Sequence, residues 1–169
     1  MSTKPLAIRL LEQKKIPHEV FIFDDAIRSA ESVAAATGIA PALVYKTLVA
    51  EQDPPRGKPY LFMLPSTREI DLKVAAAVLG AKKLRMASHR DAERYTGLQV
   101  GGISALALLN RGFSIWIAAE AREHDRILVS AGQRGVDVQL AVSDLVALTG
   151  ARYLDAQGPA VSESPSHGR

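Results

Sequence analysis

Cysteine is absent from this 169-residue sequence, which removes disulfides, thiolate metal sites and any protein thiol nucleophile together. No run approaches the roughly 18 apolar residues of a membrane span. The start, Met1-Ser2-Thr3-Lys4-Pro5, lacks the apolar stretch of a secretory signal. A cytoplasmic chain without a membrane partner is therefore expected. The dinucleotide fingerprint, the P-loop and the HExxH pattern are all missing, and His18, His89, His124 and His167 lie far apart in sequence. No cofactor and no metal is expected from such spacing. Ser104 follows two glycines, yet a hydrolase elbow would need glycine at position 106 and finds Leu106. A Ser-His-Asp triad is a poor reading of this chain.

What is present fits one globular domain. Hydrophobic residues make up 47% and charged residues 23%, enough apolar chain to bury a substantial core. The net charge of +3 tolerates nucleic acid without demanding it, so its distribution matters more than its sum. Seven basic side chains face four acidic ones between Arg68 and Arg94. That surplus marks the most basic part of the chain.

In chain order, Thr3 or Lys4 opens a helix with Pro5 near its first turn, and Ile16-Pro17 ends it. His18 to Phe23 reads as a strand. Ser29 caps a second helix that Gly38 stops. Val44 to Ala50 is a strand, Glu51 to Pro59 an exposed connection and Tyr60 to Leu64 a central strand. Asp71 caps a helix to Leu79, Lys83 to Met86 is a short strand, and Ser88 starts a helix to Tyr95. Ser114 to Ala118, Arg126 to Ser130 and Val136 to Leu140 are strands, Ser143 caps a last helix to Thr149, and Ala151 to Leu154 closes the domain. Residues 155–169, rich in Ser, Pro and Gly, read as a disordered tail. Short hairpins among these strands exclude an all-parallel sheet, so the expected class is α+β with a mixed, curved sheet flanked by helices.

Two stretches carry chemistry. Tyr95 to Ser104 holds three glycines in six residues, and Gly101-Gly102 can aim consecutive N–H groups at a phosphate or a polarised carbonyl, or can form a plain bend between strands. In Val44 to Ala50, strand alternation sets Lys46 beside Val44 and Leu48 on one apolar face. An ammonium there either opens into a cleft or snorkels to water along its stem.

Val44-Tyr45-Lys46-Thr47-Leu48, Asp71-Leu72-Lys73-Val74, Leu79-Gly80-Ala81-Lys82-Lys83, Thr96-Gly97 with Val100-Gly101-Gly102-Ile103-Ser104, and Ser130 to Leu140 together resemble the YbaK/EbsC family. Its members are stand-alone aminoacyl-tRNA deacylases related to the editing domain of bacterial prolyl-tRNA synthetases. The resemblance runs from about Thr3 to Leu154 and implies a single deacylase domain over residues 1–154. It implies hydrolysis of the ester of mischarged tRNA, Cys-tRNA(Pro) in the most similar subgroup. It further implies that Lys46, Gly101 and Gly102 do the catalytic work while Phe23, Ile103, Ser104 and Asp137 bind substrate. The implied partners are the acceptor end of aminoacyl-tRNA and prolyl-tRNA synthetase. Two departures stand out: Ala105 replaces a common proline, and Leu108-Leu109-Asn110 replaces basic residues after the loop. They keep open a second reading, a non-catalytic module that binds tRNA or a synthetase and regulates it.

With no protein thiol and no elbow serine, a covalent acyl-enzyme is not expected. An activated ester needs positioning and carbonyl polarisation, which backbone N–H groups can supply. A cysteinyl ester brings its own thiol as nucleophile.

Overall fold

The computed structural model describes residues 4–160. Three helices start at side-chain caps. The Ser29 hydroxyl accepts from Ser32 N–H ahead of α2 (Ala30–Thr37), the Asp71 carboxylate accepts from Lys73 and Val74 N–H ahead of α3 (Leu72–Leu79), and Ser88 accepts from Asp91 N–H ahead of α4 (His89–Thr96). Each satisfies donors that a first helical turn leaves unpaired. Helix α1 (Leu6–Gln13) follows Pro5, which sits at the cap and not inside the first turn, and it buries Ala7, Ile8 and Leu11.

The strands are β1 (His18–Ile22), β2 (Tyr45–Gln52), β3 (Tyr60–Pro65), β4 (Arg68–Ile70), β5 (Leu84–Met86), β6 (Ser114–Ala118), β7 (Arg126–Gln133), β8 (Val136–Ala141), β9 (Arg152–Leu154) and β10 (Gln157–Ala160). Five form a mixed sheet in the order β5-β2-β3-β6-β9, antiparallel on the β5 and β2 side and parallel from β3 to β9. Strand β3 is central and buried over Leu61 to Pro65. A second, antiparallel sheet runs β1-β8-β7, and a parallel bridge between Val44 and Leu128 ties the two together. The result is the expected α+β class with a mixed sheet.

One core lies on the sheet face that carries Tyr45, Val49, Leu61, Met63, Ile115 and Ile117, against Ala7, Ile8 and Leu11 of α1. The other face carries Ala50, Phe62, Trp116 and Leu154 under Ala75 and Ala76 of α3. A third cluster of Val33, Ala34, Val44 and Leu128 holds α2 where the two sheets meet. That junction positions the site.

Four expectations change. Helix α5 (Val142–Thr149) is not capped by Ser143, which lies inside it. Ala141 is the cap residue without a side-chain bond, and Val142 N–H donates to Asp125 O at 2.9 Å because β8 runs straight into the helix. Glu51 is not in an exposed connection but on β2, 4% exposed, where Arg85 and Tyr95 hold its carboxylate. The tail does not begin at Asp155. Ala156 is buried among Ala75, Leu84 and Trp116, its carbonyl accepts from Asp71 N–H, and β10 pairs antiparallel with β4. The rest of the expected tail, 161–169, lies outside the described residues. Finally, β7 continues through Ala131 and Gly132 with a register shift between Ser130 and Gln133, which leaves Arg134-Gly135 as the turn to β8.

Candidate active site

Strand alternation delivers the lysine as expected. Lys46 and Leu48 share the β2 face opposite to Tyr45 and Val49, and Lys46 pairs with Leu64 of β3. Its side chain opens into a cleft of about 270 Å³ at the junction of the two sheets. Arg28 and Ser29 ahead of α2 with Ala30 at its start, Lys46 and Leu48, Val100, Gly101 and Ile103, and Ser130 with Asp137 all face this space. Among the described residues Lys46 forms no ion pair. Burial pulls its ammonium below the ordinary lysine range, and Glu69 and then Glu31 partly offset that.

Asp137 stands on β8, opposite Ser130 of β7 and Phe21 of β1. It is 6% exposed, and burial pushes its carboxyl up to about 6. Glu69 and Glu31 act on Lys46, whereas Asp137 responds to burial alone. No ion pair among the described residues joins the two or ties either to another group, so both are left for a ligand in the space they line.

The glycine stretch is fastened before it reaches the cleft. Gly97 ends α4 in the left-handed region at φ 73°, Glu93 Oε2 accepts from Val100 N–H at 2.9 Å, and Arg134 Nε donates to Val100 O at 2.8 Å. Gly101 follows at φ 95°, a conformation that strains any side chain, with Arg28 and the Arg134 guanidinium close to where a Cβ would stand. Its N–H and that of Ile103 donate to no acceptor among the described residues. These are the backbone donors the cleft can offer to an oxyanion.

Gly102 is different. Its N–H donates to Gln99 O at 2.8 Å, and a Cβ would stand 2.9 Å from Arg134 N and 3.0 Å from Gln133 C. The glycine is needed so that the loop can lie against the β7–β8 turn, and it does not line the cleft. Ser104 is 1% exposed, and its hydroxyl accepts from Ala107 N–H at 3.2 Å, capping a 3₁₀ turn at Leu106–Leu108. Phe23 packs on the cluster of Val33 and Val44, one layer behind the cleft wall. Of the seven expected site residues, Lys46, Gly101, Ile103 and Asp137 line one space, while Gly102, Ser104 and Phe23 support it. Ala105 takes φ −62°, a value that proline itself adopts, so a proline fits the backbone at this position.

Arg28 and Arg134 were not legible as site residues. Arg28 precedes the Ser29 cap and is exposed, and Arg134 stands before Gly135 in the turn. Only the Arg-Gly pair in a turn signalled the second. Together they make the mouth of the cleft basic around Gly101.

The α+β frame of two joined sheets recurs in known proteins. The solved structure of a hypothetical protein, APE2540, superposes with a TM-score of 0.80 at 18% identity over 89% of this chain and 98% of that one. One described as a putative trans-editing enzyme for prolyl tRNA synthetase gives 0.78 at 23% over 94% and 100%. Both show the fold. The pattern of an aminoacyl-tRNA editing domain matches residues 24–148. A protein of Enterococcus faecalis (strain ATCC 700802 / V583), named Putative Cys-tRNA(Pro)/Cys-tRNA(Cys) deacylase EbsC, is 35% identical over 155 residues, 90% of this chain and 92% of that protein. The chain belongs to the YbaK/EbsC family of aminoacyl-tRNA editing domains. It is an aminoacyl-tRNA deacylase by family, and none of its described helices is long and apolar enough to cross a membrane.

Proposed function

We propose that this protein clears Cys-tRNA(Pro) in trans, with the aminoacyl ester held between Lys46 and Asp137. The observation that carries this reading is that Lys46 and Asp137, neither of them in an ion pair among the described residues, line one small cleft together with Gly101 and Ile103. The Asp137 carboxylate takes the substrate's α-ammonium, and Lys46 takes the terminal ribose hydroxyl or its phosphate as a point charge. The ester carbonyl then points at the free N–H groups of Gly101 and Ile103, where developing oxyanion charge is stabilised. The substrate thiol loses its proton and attacks the carbonyl, the ester C–O bond breaks, and the ribose oxygen leaves with a proton. Water opens the resulting thiolactone to free cysteine. Ser104 takes no part as nucleophile, consistent with its burial and its capping bond. Prolyl-tRNA synthetase is the proposed source of the mischarged substrate and a candidate partner on that ground.

Because the protein has no cysteine, a thiol reagent can be aimed at the substrate alone. Purified protein should clear Cys-tRNA(Pro) at least tenfold faster than Ser-tRNA, and S-alkylated Cys-tRNA(Pro) should resist it. Equal rates for the three esters, or an acyl group trapped on Ser104, would refute substrate assistance.

A further inference from the structure

The basic surplus of the segment 68–94 gathers at a second concavity. A groove of about 600 Å³, more than twice the volume of the cleft, runs between α3 and β5. Ala76, Ala77 and Leu84 give it an apolar floor, and Lys73, Lys82 and Lys83 rim it, with no acidic residue in its lining. All three lysines are exposed. Lys83 reaches Asp53 at 3.4 Å, an acid that Arg85 also contacts, while Lys73 and Lys82 form no ion pair among the described residues. Two uncompensated cations on an apolar floor call for an anionic occupant.

The groove lies on the same sheet face as the cleft. Alternation along β2 puts Lys46, Leu48, Ala50 and Gln52 on one side, and Leu48 both lines the cleft and packs on the α3 cluster. Leu84, on the floor of the groove, belongs to that cluster and pairs with Gln52. From Lys46 to Gln52 the strand advances about 20 Å. One strand of B-DNA carries a phosphate about every 3.4 Å of axis and an A-form RNA strand is more closely spaced along its axis, so at least about six phosphates span that interval.

We propose that the groove between α3 and β5 holds the phosphate backbone of the acceptor stem whose aminoacyl end occupies the Lys46 cleft. The inference rests on the deacylase reading above. RNA fits better than an acidic peptide, because the substrate already brings a continuous anionic chain into the cleft on this face. Lysines suit that contact, acting as point charges that position a backbone without reading its sequence. The alanine floor lets ribose faces approach. The stem would then lie along α3, with Lys73 at one end of the helix and Lys82 and Lys83 beyond the other.

The test is the double variant Lys73→Ala/Lys82→Ala, assayed three ways beside the wild type. Affinity for uncharged tRNA should fall about tenfold at low salt, and the slope of log affinity against log salt should become shallower by about two, one per lost phosphate contact. For aminoacyl-tRNA, kcat/KM should fall with affinity while kcat holds. Hydrolysis of 3′-cysteinyl adenosine, too short to reach the groove, should not change. Unaltered tRNA affinity and salt slope would overturn the proposal, including the case in which the groove captures an acidic peptide instead. An equal loss on cysteinyl adenosine would overturn it as well, by showing damage to the cleft. Weakened tRNA binding by the variant, with neither protein hydrolysing either ester, would leave the groove standing and remove the deacylase reading.

Discussion

Glu51 and Asp137 are both buried strand carboxylates, 4% and 6% exposed, and their surroundings could hardly differ more. Glu51 accepts from Arg85 Nε at 2.8 Å and from the Tyr95 hydroxyl at 2.5 Å, so it fastens β2 to β5 and α4. The Asp137 carboxylate has no hydrogen-bond or ion-pair partner among the described residues and faces a cleft. A buried carboxylate stays charged at low cost when donors replace its lost water, and at high cost when none do. The first charge is part of the frame. The second is retained against stability, which is expected where a site needs it and nowhere else.

Replacement is the most forceful way to break this contrast. Glu51→Ala leaves the Tyr95 hydroxyl without its acceptor and takes from Arg85 one of its two carboxylates, and because Arg85 keeps Asp53 and is half exposed, the loss should be about 2–3 kcal/mol. Urea unfolding measures it, and turnover per folded molecule should be unchanged. Asp137→Asn should do the reverse. A carboxyl held up to about 6, against an ordinary value of 3.8, binds its proton more tightly in the folded protein than in the unfolded chain. Wild-type stability therefore declines as pH rises from about 4 to about 6 and is flat above. The asparagine variant should gain on the order of 2 kcal/mol at pH 8 and nothing near pH 4. The same charge sets the acid limb of activity: wild-type deacylation should fall as pH drops through about 6, and the variant should be slow throughout. Loss of stability at pH 8 would place Asp137 with Glu51 as a structural acid.

The smallest effect concerns the loop beside Asp137. Ala105→Pro, at φ −62°, should stabilise by about 0.4–1 kcal/mol by restricting the unfolded chain. Turnover should hold, because Glu93 and Arg134 already fix the loop at Val100. A change in rate would mean that the family proline does more than set a path.

The same contrast explains what sequence could convey. Asp71, Ser88 and Ser29 were legible as caps because a cap bonds to residues two or three positions away. Lys46 was legible because an ammonium among apolar neighbours on an alternating strand has few places to go. Glu51 was not, since its partners lie 34 and 44 residues away and nothing local separates a buried acid from a polar linker. Strands β4 and β10 escaped notice for a related reason: each exists only through the other. Gly101 and Gly102 look alike in sequence, yet one lines the cleft with an N–H that meets no acceptor among the described residues and the other is pressed against the Gln133–Arg134 backbone, a distinction made by a turn about 30 residues further on. Arg28 and Arg134 meet only because the junction of two sheets brings them to Gly101.

The central claim is that the unpaired charges of the cleft act on an aminoacyl ester, and Lys46 is the direct place to test it. Burial already disfavours this ammonium, so Lys46→Ala should melt within a few degrees of the wild type. The measurement is the single-turnover rate of Cys-tRNA(Pro) deacylation by the two proteins at equal folded concentration. The variant should be slower by about a hundredfold or more, the scale on which loss of one positioned charge acts. An undiminished rate with the fold intact would contradict it.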